Sequence, residues 1–247
     1  MNVILLNSEN FINKNAENTY QPQACIYDEK IIHHVISVLG AKAGDELKVG
    51  EIGGNLGVAT IERIDNKQLI LKDIYLDTPP PPKLEMTVVL ALPRPKVLRR
   101  LMMDMAAIGV RHIVLVNSFR TDKSYWSSPH LARLDEYLIE GLQQGVDTVL
   151  PTLTLARRFK PFVEDQLPAL IGDGQAVVAH PYAQVGFGQF VSSCVPSVIL
   201  VGAEGGFIPY EIELLASVGV VAASLGRRIL RTEAAVNALL GRFLSAC

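Results

Sequence analysis

Two glycine-containing loops in the second half of the chain carry the residues best suited to chemistry. The apolar run Val198–Val201 opens into the sequence GAEGGF, and the apolar run Val218–Ala223 is followed by LGRRILRTE. Both runs have the composition of buried strands. Because open α/β sheets bind ligands at the carboxyl ends of their strands, both loops are candidate ligand-binding loops.

The first loop would let the backbone lie close to a ligand, but it does not have the pattern of a phosphate-binding loop. Gly202, Gly205 and Gly206 have no Cβ, so the chain can turn tightly there and lie against a ligand. The loop lacks the P-loop lysine and misses the GxGxxG spacing, which argues against a nucleoside triphosphate or a dinucleotide. Glu204 would repel phosphate, but it would attract a cation or accept a hydrogen bond. A purely structural turn stays open as the alternative.

The second loop combines cations with the start of a helix. Thr232 is predicted to be the N-cap of the last helix, and Glu233 to lie favourably at its positive end. Arg228 and Arg231 oppose the helix dipole, so an anionic partner is expected nearby. That partner is Glu204, another carboxylate or a nucleic-acid phosphate. A structural salt bridge remains an alternative for each arginine.

The composition permits a sizeable core and gives no global nucleic-acid signature. The chain has 247 residues, 49% of them hydrophobic, and a net charge of −2, whereas typical nucleic-acid-binding domains are more basic. Residues 83–123, however, carry 8 Lys/Arg against 3 Asp/Glu. This segment contains Arg94, Arg99 and Arg120, which could contact phosphates. Solvated surface charges are the competing interpretation.

The sequence does not indicate a membrane protein, an exported protein or a metalloprotein. It has no uninterrupted apolar run of membrane-spanning length and no signal-peptide pattern at its start, so neither export nor membrane insertion is expected. Cys25, Cys194 and Cys247 are far apart and form no CxxC pair, which favours reduced thiols in the cytoplasm. The histidines are too scattered for a metal motif, and no metal site is predicted.

A run of four prolines separates two patterns of secondary structure. Residues 1–78 are predicted to form a small β-barrel or sandwich with one short helix near Glu29–Leu39, and residues 79–83 a proline-rich linker. In residues 84–247 strands alternate with helices, which predicts a mostly parallel sheet covered on both sides. Two helical faces, Leu98–Met105 and Val236–Leu244, are apolar and fit either the core or an interface.

The two loops together resemble those of the SPOUT methyltransferases, and more narrowly the bacterial family that makes 3-methyluridine in 16S ribosomal RNA. The loops of that family read GPEGGF and LGxRILRTETA; this chain differs at Ala203 and Ala234. The resemblance extends over the whole chain. It implies an α/β fold in which a PUA-like β-barrel precedes a parallel-sheet methyltransferase domain, whose C-terminal part is tied in a trefoil knot.

The resemblance also implies a cofactor, S-adenosylmethionine (AdoMet), bound in the knot. The implied cofactor-binding residues are Leu200, Gly202, Glu204, Gly205, Gly206, Leu225, Gly226, Ile229, Leu230, Arg231 and Thr232. The implied catalytic residues are Arg228 and Arg231, which would stabilise charge on the base or hold a phosphate, and Glu233, which would act as a base or only as a cap. Arg94, Arg99 and Arg120 are expected to bind RNA. The expected partners are ribosomal RNA or the small ribosomal subunit and a second copy of the chain in a homodimer, with neither DNA nor a membrane.

Further positions depart from the family pattern, including Gly40, which stands where the family usually has a basic residue. Asp104 and Ala107 replace a lysine and a glutamate, Phe119 replaces an acid, and Asp147 replaces an arginine. Three interpretations therefore stay open. The chain is an active methyltransferase making the ribosomal modification, a methyltransferase redirected to another RNA or base, or a binding module without turnover. If Asp104 and Asp147 lie in the RNA groove, the first interpretation weakens.

Overall fold

The chain divides into two compact units in a computed structural model that describes residues 1–12, 22–192 and 195–244. The first unit comprises Met1–Pro81 and Leu142–Leu150, and the second comprises Pro82–Gly141 and the residues from Pro151 onwards. Cys194 and Cys247 lie outside the described residues. Cys25 is a buried free thiol.

The first unit is built on a curled, five-stranded sheet with the strand order β1-β3-β4-β5-β2. Its strands are β1 (Ile4–Leu6), β2 (Ala24–Ile26), β3 (Glu46–Glu51), β4 (Leu56–Ile64) and β5 (Leu69–Thr78). Strands β1 and β3 are parallel and the other pairs antiparallel. The predicted short helix is confirmed as α1 (Glu29–His33), continued by a π-helical turn, His34–Val38. Asp28 caps it, since its carboxylate accepts the Lys30 and Ile31 N–H groups.

A later piece of chain completes this unit. The predicted boundaries, at residues 78 and 84, do not include Leu142–Leu150, yet this segment packs with the first unit. The Gln143 carbonyl accepts the backbone N–H of Asn2 at 2.9 Å, and the carbonyl of Thr148 accepts that of Gly53 at 2.8 Å. Non-local pairing of this kind leaves no signal in a local sequence pattern.

The second unit contains a seven-stranded sheet with the order β10-β12-β9-β11-β6-β7-β8. Its strands are β6 (Leu84–Ala91), β7 (Val110–Val116), β8 (Thr152–Ala156), β9 (Ala176–Ala179), β10 (Val185–Gly186), β11 (Val198–Val201) and β12 (Val220–Ser224). Every neighbouring pair is parallel, which confirms the predicted sheet. The central strands are almost wholly apolar because helices cover both faces.

Seven helices among the described residues follow these strands, and proline or glycine marks the ends of two of them. They are α2 (Pro95–Ile108), α3 (Leu134–Gly145), α4 (Phe159–Pro161), α5 (Leu167–Ile171), α6 (Phe187–Phe190), α7 (Pro209–Ser217) and α8 (Thr232–Gly241). Pro95 and Pro209 stand at first helical positions, where the missing N–H costs nothing. Gly109 ends α2 with a φ of +89°. No helix among the described residues has the length and apolarity needed to cross a membrane.

The two apolar helical faces belong to the core rather than to an interface. The buried residues of α2 are Leu98, Leu101, Met102, Met105 and Ala106, and those of α8 with the following turn include Val236, Leu239, Leu240 and Phe243. Leu244, at the end of the predicted α8 face, is 55% exposed. Helices α2 and α8 pack against one another, and Asn237 donates a hydrogen bond to Asp104 across their contact at 2.9 Å.

His112 is expected to make the second unit sensitive to acid. Its ring nitrogens lie 2.9 Å from the Thr154 hydroxyl and 3.4 Å from that of Thr87, and burial lowers the pKa of this imidazole. The unfolded chain therefore binds a proton before the folded chain does, so the free energy of unfolding falls as the pH drops below about 6.5. Denaturation followed by Trp126, the only tryptophan of the chain, should show this fall. His112→Gln should reduce it, while substitution of exposed His33 controls for loss of a histidine.

Candidate active site

The loop after β11 turns back so tightly that it requires glycine. A Cβ on Gly202 would lie 2.8 Å from the Cα of Gly206, a contact with backbone that no side-chain movement relieves. Gly206 has a φ of +66°, and its N–H donates to the Ala203 carbonyl at 2.8 Å. Ala203 and Phe207 are buried in the core. The glycines thus form a narrow turn whose ends are anchored by apolar packing.

A buried carboxylate joins this loop to the loop after β7. Glu211, only 3% exposed, accepts the backbone N–H of Ile208 at 3.0 Å with one oxygen and that of Phe119 at 2.7 Å with the other. Both partners are backbone N–H groups in loops, and without Glu211 these N–H groups would have no hydrogen-bond acceptor. This side chain fixes the positions of two loops at once, a role that no local sequence pattern indicated.

Arg120 lies against the glycine loop. Its guanidinium donates a hydrogen bond to the Gly205 carbonyl. Two of its side-chain carbons lie 2.9 and 3.0 Å from where a Cβ on Gly205 would stand. The absence of a side chain at Gly205 therefore makes room for Arg120, which was predicted to bind RNA and not to make this contact.

The loop after β12 brings the second motif to the same edge of the sheet. Gly226 has a φ of +114°, a conformation that side chains rarely adopt. The prediction that Thr232 is the N-cap of the last helix is wrong: Thr232 is the first residue of α8 and is buried, and Arg231 occupies the cap position without a side-chain hydrogen bond. Glu233 lies 3.9 Å from the Arg100 guanidinium.

These loops enclose a cleft of about 750 Å³ at the carboxyl edge of the sheet. Residues at the ends of β9, β11 and β12 are in register, with Ala179 opposite both Val201 and Ala223, so the loops that follow them emerge side by side. The predicted site residues that line the cleft are Arg94, Arg120, Gly202, Glu204, Gly205, Gly206, Leu225, Gly226, Arg228, Ile229, Leu230, Arg231, Thr232 and Glu233.

Two predicted residues lie elsewhere, and several lining residues were not predicted. Leu200 is buried in the middle of the sheet, one residue before the strand end. Arg99 pairs with Glu140 at 2.9 Å, and its guanidinium lies over the ring of Tyr137. The lining residues that the predictions omitted are Val97, Ala179, His180, Pro181, Tyr182, Val201, Ala203 and Ala235. The position of β9 between β11 and β12 brings the residues from 179 to 182 to the cleft.

The charges in the cleft are only partly compensated within the described chain. Glu204 accepts the Arg94 backbone N–H at 3.1 Å and makes no recorded ion pair with Arg228 or Arg231. Neither arginine has a carboxylate partner among the described residues, so the anion expected near them is not supplied by that part of the protein. Burial lowers the pKa of His180, which favours the neutral imidazole beside the cleft.

The two aspartates that departed from the family pattern do not line this cleft. Asp104 accepts the Asn237 amide between α2 and α8. Asp147 belongs to the first unit, is 3% exposed and accepts the Val149 N–H at 3.0 Å. Both carboxylates therefore have structural partners, and the condition that would weaken the first interpretation is not met at this cleft. Described residues include no cluster of three or more metal-ligating side chains.

A parallel sheet with a glycine-rich cleft at its carboxyl edge, together with a curled β-sheet unit, defines a two-domain α/β protein that binds a small ligand. The sequence model of the RNA methyltransferase domain matches residues 80–244, and that of the RNA methyltransferase PUA domain matches residues 26–74. The chain belongs to this family of RNA methyltransferases, which confirms the resemblance seen in its loops.

Similar proteins extend over nearly the whole chain. Ribosomal RNA small subunit methyltransferase E of Treponema pallidum is 28% identical over 243 residues, covering 96% of this chain and 88% of that protein. Ribosomal RNA small subunit methyltransferase E 1 of Borreliella burgdorferi is 27% identical over 83% of this chain and 85% of its own length. The fold matches that of ribosomal RNA small subunit methyltransferase E from Neisseria gonorrhoeae bound to S-adenosyl methionine, with a TM-score of 0.74, 17% identity, and coverage of 100% and 98%.

Replacing Glu211 by glutamine should loosen the site. The amide keeps one acceptor oxygen, so the N–H of Ile208 or Phe119 loses its partner and a buried NH₂ gains none. The free energy of unfolding should fall by roughly 1–3 kcal/mol, measured by chemical denaturation. Glu213→Gln, an exposed position on the same helix, is the matched control; equal effects of the two substitutions would contradict this role.

Proposed function

We propose that the protein is an AdoMet-dependent methyltransferase that methylates N3 of a uridine in 16S ribosomal RNA. The observation that carries the proposal is the cleft. Two glycine loops and two arginines without carboxylate partners in the described chain meet there, in a chain of the RNA methyltransferase family. The names of the Treponema and Borreliella relatives point to small-subunit ribosomal RNA, and the ribosomal target makes the cytoplasm the expected compartment.

The residues that line the cleft fit AdoMet. The glycine loops present backbone N–H and C=O groups that can pair with adenine and ribose. Leu225, Ile229 and Leu230 are 37%, 72% and 40% exposed, and apolar side chains standing open around a cleft suit a flat heterocycle. AdoMet is a sulfonium cation without phosphates, so a loop that lacks a phosphate-binding signature and contains Glu204 is suited to it. Bound there, AdoMet supplies an electrophilic methyl group.

The protein's own contribution is alignment and charge. The uracil N3 must face the methyl carbon in line with the carbon–sulfur bond; that bond breaks as the N3–carbon bond forms, and the N3 proton passes to a base. Holding the two reactants in this geometry accounts for a large part of a rate enhancement. Arg228 and Arg231 line the cleft and would stabilise negative charge on the uracil or hold its phosphate. Glu233 also lines the cleft and would accept the proton.

Three further features belong to the same proposal. The PUA domain matched at residues 26–74 would bind RNA outside the cleft. The neighbouring loops after β9, β11 and β12 would form the trefoil knot. A homodimer would use surfaces other than the buried faces of α2 and α8, such as the exposed apolar side chains of Ile229 and Leu244. A methyltransferase redirected to another RNA or base stays the alternative; neither Asp104 nor Asp147, which suggested it, lines the cleft.

The experiment is methylation of small ribosomal subunits from cells that lack the gene. Incubation with the protein and AdoMet should produce 3-methyluridine, identified by mass spectrometry of the digested RNA. Arg231→Ala should lower turnover by about a hundredfold and lower AdoMet affinity much less, because the arginine acts mainly on the base; equal loss of both would assign it to the cofactor. The proposed target would be overturned if another base were methylated. It would also be overturned if neither free ribosomal RNA nor small subunits acquired a methyl group.

AdoMet binding, measured by calorimetry, should depend on Gly205. In Gly205→Val the new side chain meets the Arg120 carbons at 2.9 to 3.0 Å or turns into the cleft, so binding should be lost in a protein that still folds. Gly188→Ala is the control, because a Cβ there meets nothing within 4 Å. Unchanged affinity of the valine variant would show that the loop is only a turn.

A further inference from the structure

The carboxyl edge of the sheet continues beyond the cleft along β6, β7 and β8. The N–H of Leu92 donates to the Val116 carbonyl at 2.8 Å, and the N–H of Asn117 donates to the Ala156 carbonyl at 3.0 Å. The residues that directly follow these three strands are therefore adjacent. Three strand spacings separate β11 from β8, about 14 Å in all, so the loop after β8 lies a short distance along the same edge from the glycine loop.

A tryptophan is held in place at this part of the edge. The indole N–H of Trp126 donates to the Asn117 side chain at 2.8 Å, which fixes the ring to the residue that leaves β7. The guanidinium of Arg157, the residue that follows β8, lies 5.2 Å from the ring centroid. The indole is only half-buried. A planar cation stacked on a fixed aromatic ring presents a flat, positively charged surface.

The basic residues at this edge differ from several others in the unit. Arg99, Arg111, Arg133 and Lys160 are each paired with a glutamate, as Arg99–Glu140, Arg111–Glu85, Arg133–Glu136 and Lys160–Glu164. Lys123, Arg157 and Arg158 are exposed and have no carboxylate partner among the residues that the structure describes. Asp122, the acid in this loop, is turned to the N–H of Ser124. The side chains without an ion-pair partner along this part of the edge therefore carry a net positive charge.

We propose that Trp126 and Arg157 form a stacking platform for an unpaired RNA base close to the nucleotide in the cleft, with Lys123 and Arg158 holding the adjacent phosphates. Base–aromatic stacking combined with a basic surface is how proteins grip single-stranded nucleic acid. A target base must leave its stack before a pocket can reach it, and a neighbouring base that stacks on the protein offsets part of that cost. The proposal rests on the proposed function for the identity of the polyanion as RNA.

The single tryptophan provides a direct test. A short single-stranded oligouridylate should quench Trp126 emission, with the same Kd as an independent gel-shift titration. Duplex RNA should quench far less, because its bases stay stacked within the helix. Binding of the oligouridylate without any change in Trp126 emission would overturn the platform.

Substitutions can distinguish an effect on base stacking from effects on folding and on catalysis. Trp126→Ala should weaken oligouridylate binding about tenfold, equivalent to about 1.4 kcal/mol, and raise KM for ribosomal subunits while leaving kcat and AdoMet affinity unchanged. Arg157→Gln, at an exposed position, tests the same surface if the tryptophan variant fails to fold. Arg111→Ala is the control, since Arg111 pairs with Glu85 where β6 and β7 begin. Affinity lowered equally by Arg111→Ala would overturn the proposal.

Failure of the platform and failure of the proposed function give different results. If the Trp126→Ala and Arg157→Gln variants methylate ribosomal subunits with an unchanged KM, the platform is refuted and the proposed methyltransferase activity still holds. Quenching of Trp126 by oligouridylate, with no 3-methyluridine formed in ribosomal RNA, would support the platform and refute the target.

Discussion

The site depends on one carboxylate that the core encloses. The side chain of Glu211 can remain buried because two backbone N–H groups donate to its carboxyl oxygens, and these groups belong to loops that leave different strands. A buried charge without partners would cost several kcal/mol, so the loops and the carboxylate stabilise one another. Arg120 and Gly205 then meet in a fixed geometry. The cleft is therefore preorganised both by hydrogen bonds behind it and by those between residues that line it.

Much of the fold followed from local signals in the sequence. The proline run, the alternation of strands and helices, Pro209 at a helix start and Gly109 at a helix end all act over a few residues. The short strands β1, β2, β8 and β10 were not predicted; β1, β2 and β10 have only two or three residues, which carry too little pattern. The attachment of Leu142–Leu150 to the first unit was missed because backbone pairing over such a distance leaves no local pattern.

Most of the residues that line the cleft were named in advance, because two motifs resemble those of a known family. The spacing of the glycines and arginines alone left a structural turn and salt bridges open. Thr232 had the composition of a cap, but the chain enters the helix one residue earlier. Asp147 looked like a sign change on an RNA-binding surface, whereas it is a buried acceptor for Val149. A side chain's charge does not reveal whether water or the protein surrounds it.

The return of Leu142–Leu150 to the first unit means that the polypeptide passes between the units three times, at residues 81–82, 141–142 and 150–151. Neither unit is a contiguous stretch of sequence. A fragment ending at the prolines would lack the carbonyl of Gln143 that pairs with Asn2, and the buried Thr148 beside Gly50. Cutting the chain at its most obvious linker would therefore yield an incomplete β-domain. Recombination in evolution that exchanged the β-domain alone would have faced the same obstacle, which favours inheritance of the two units together.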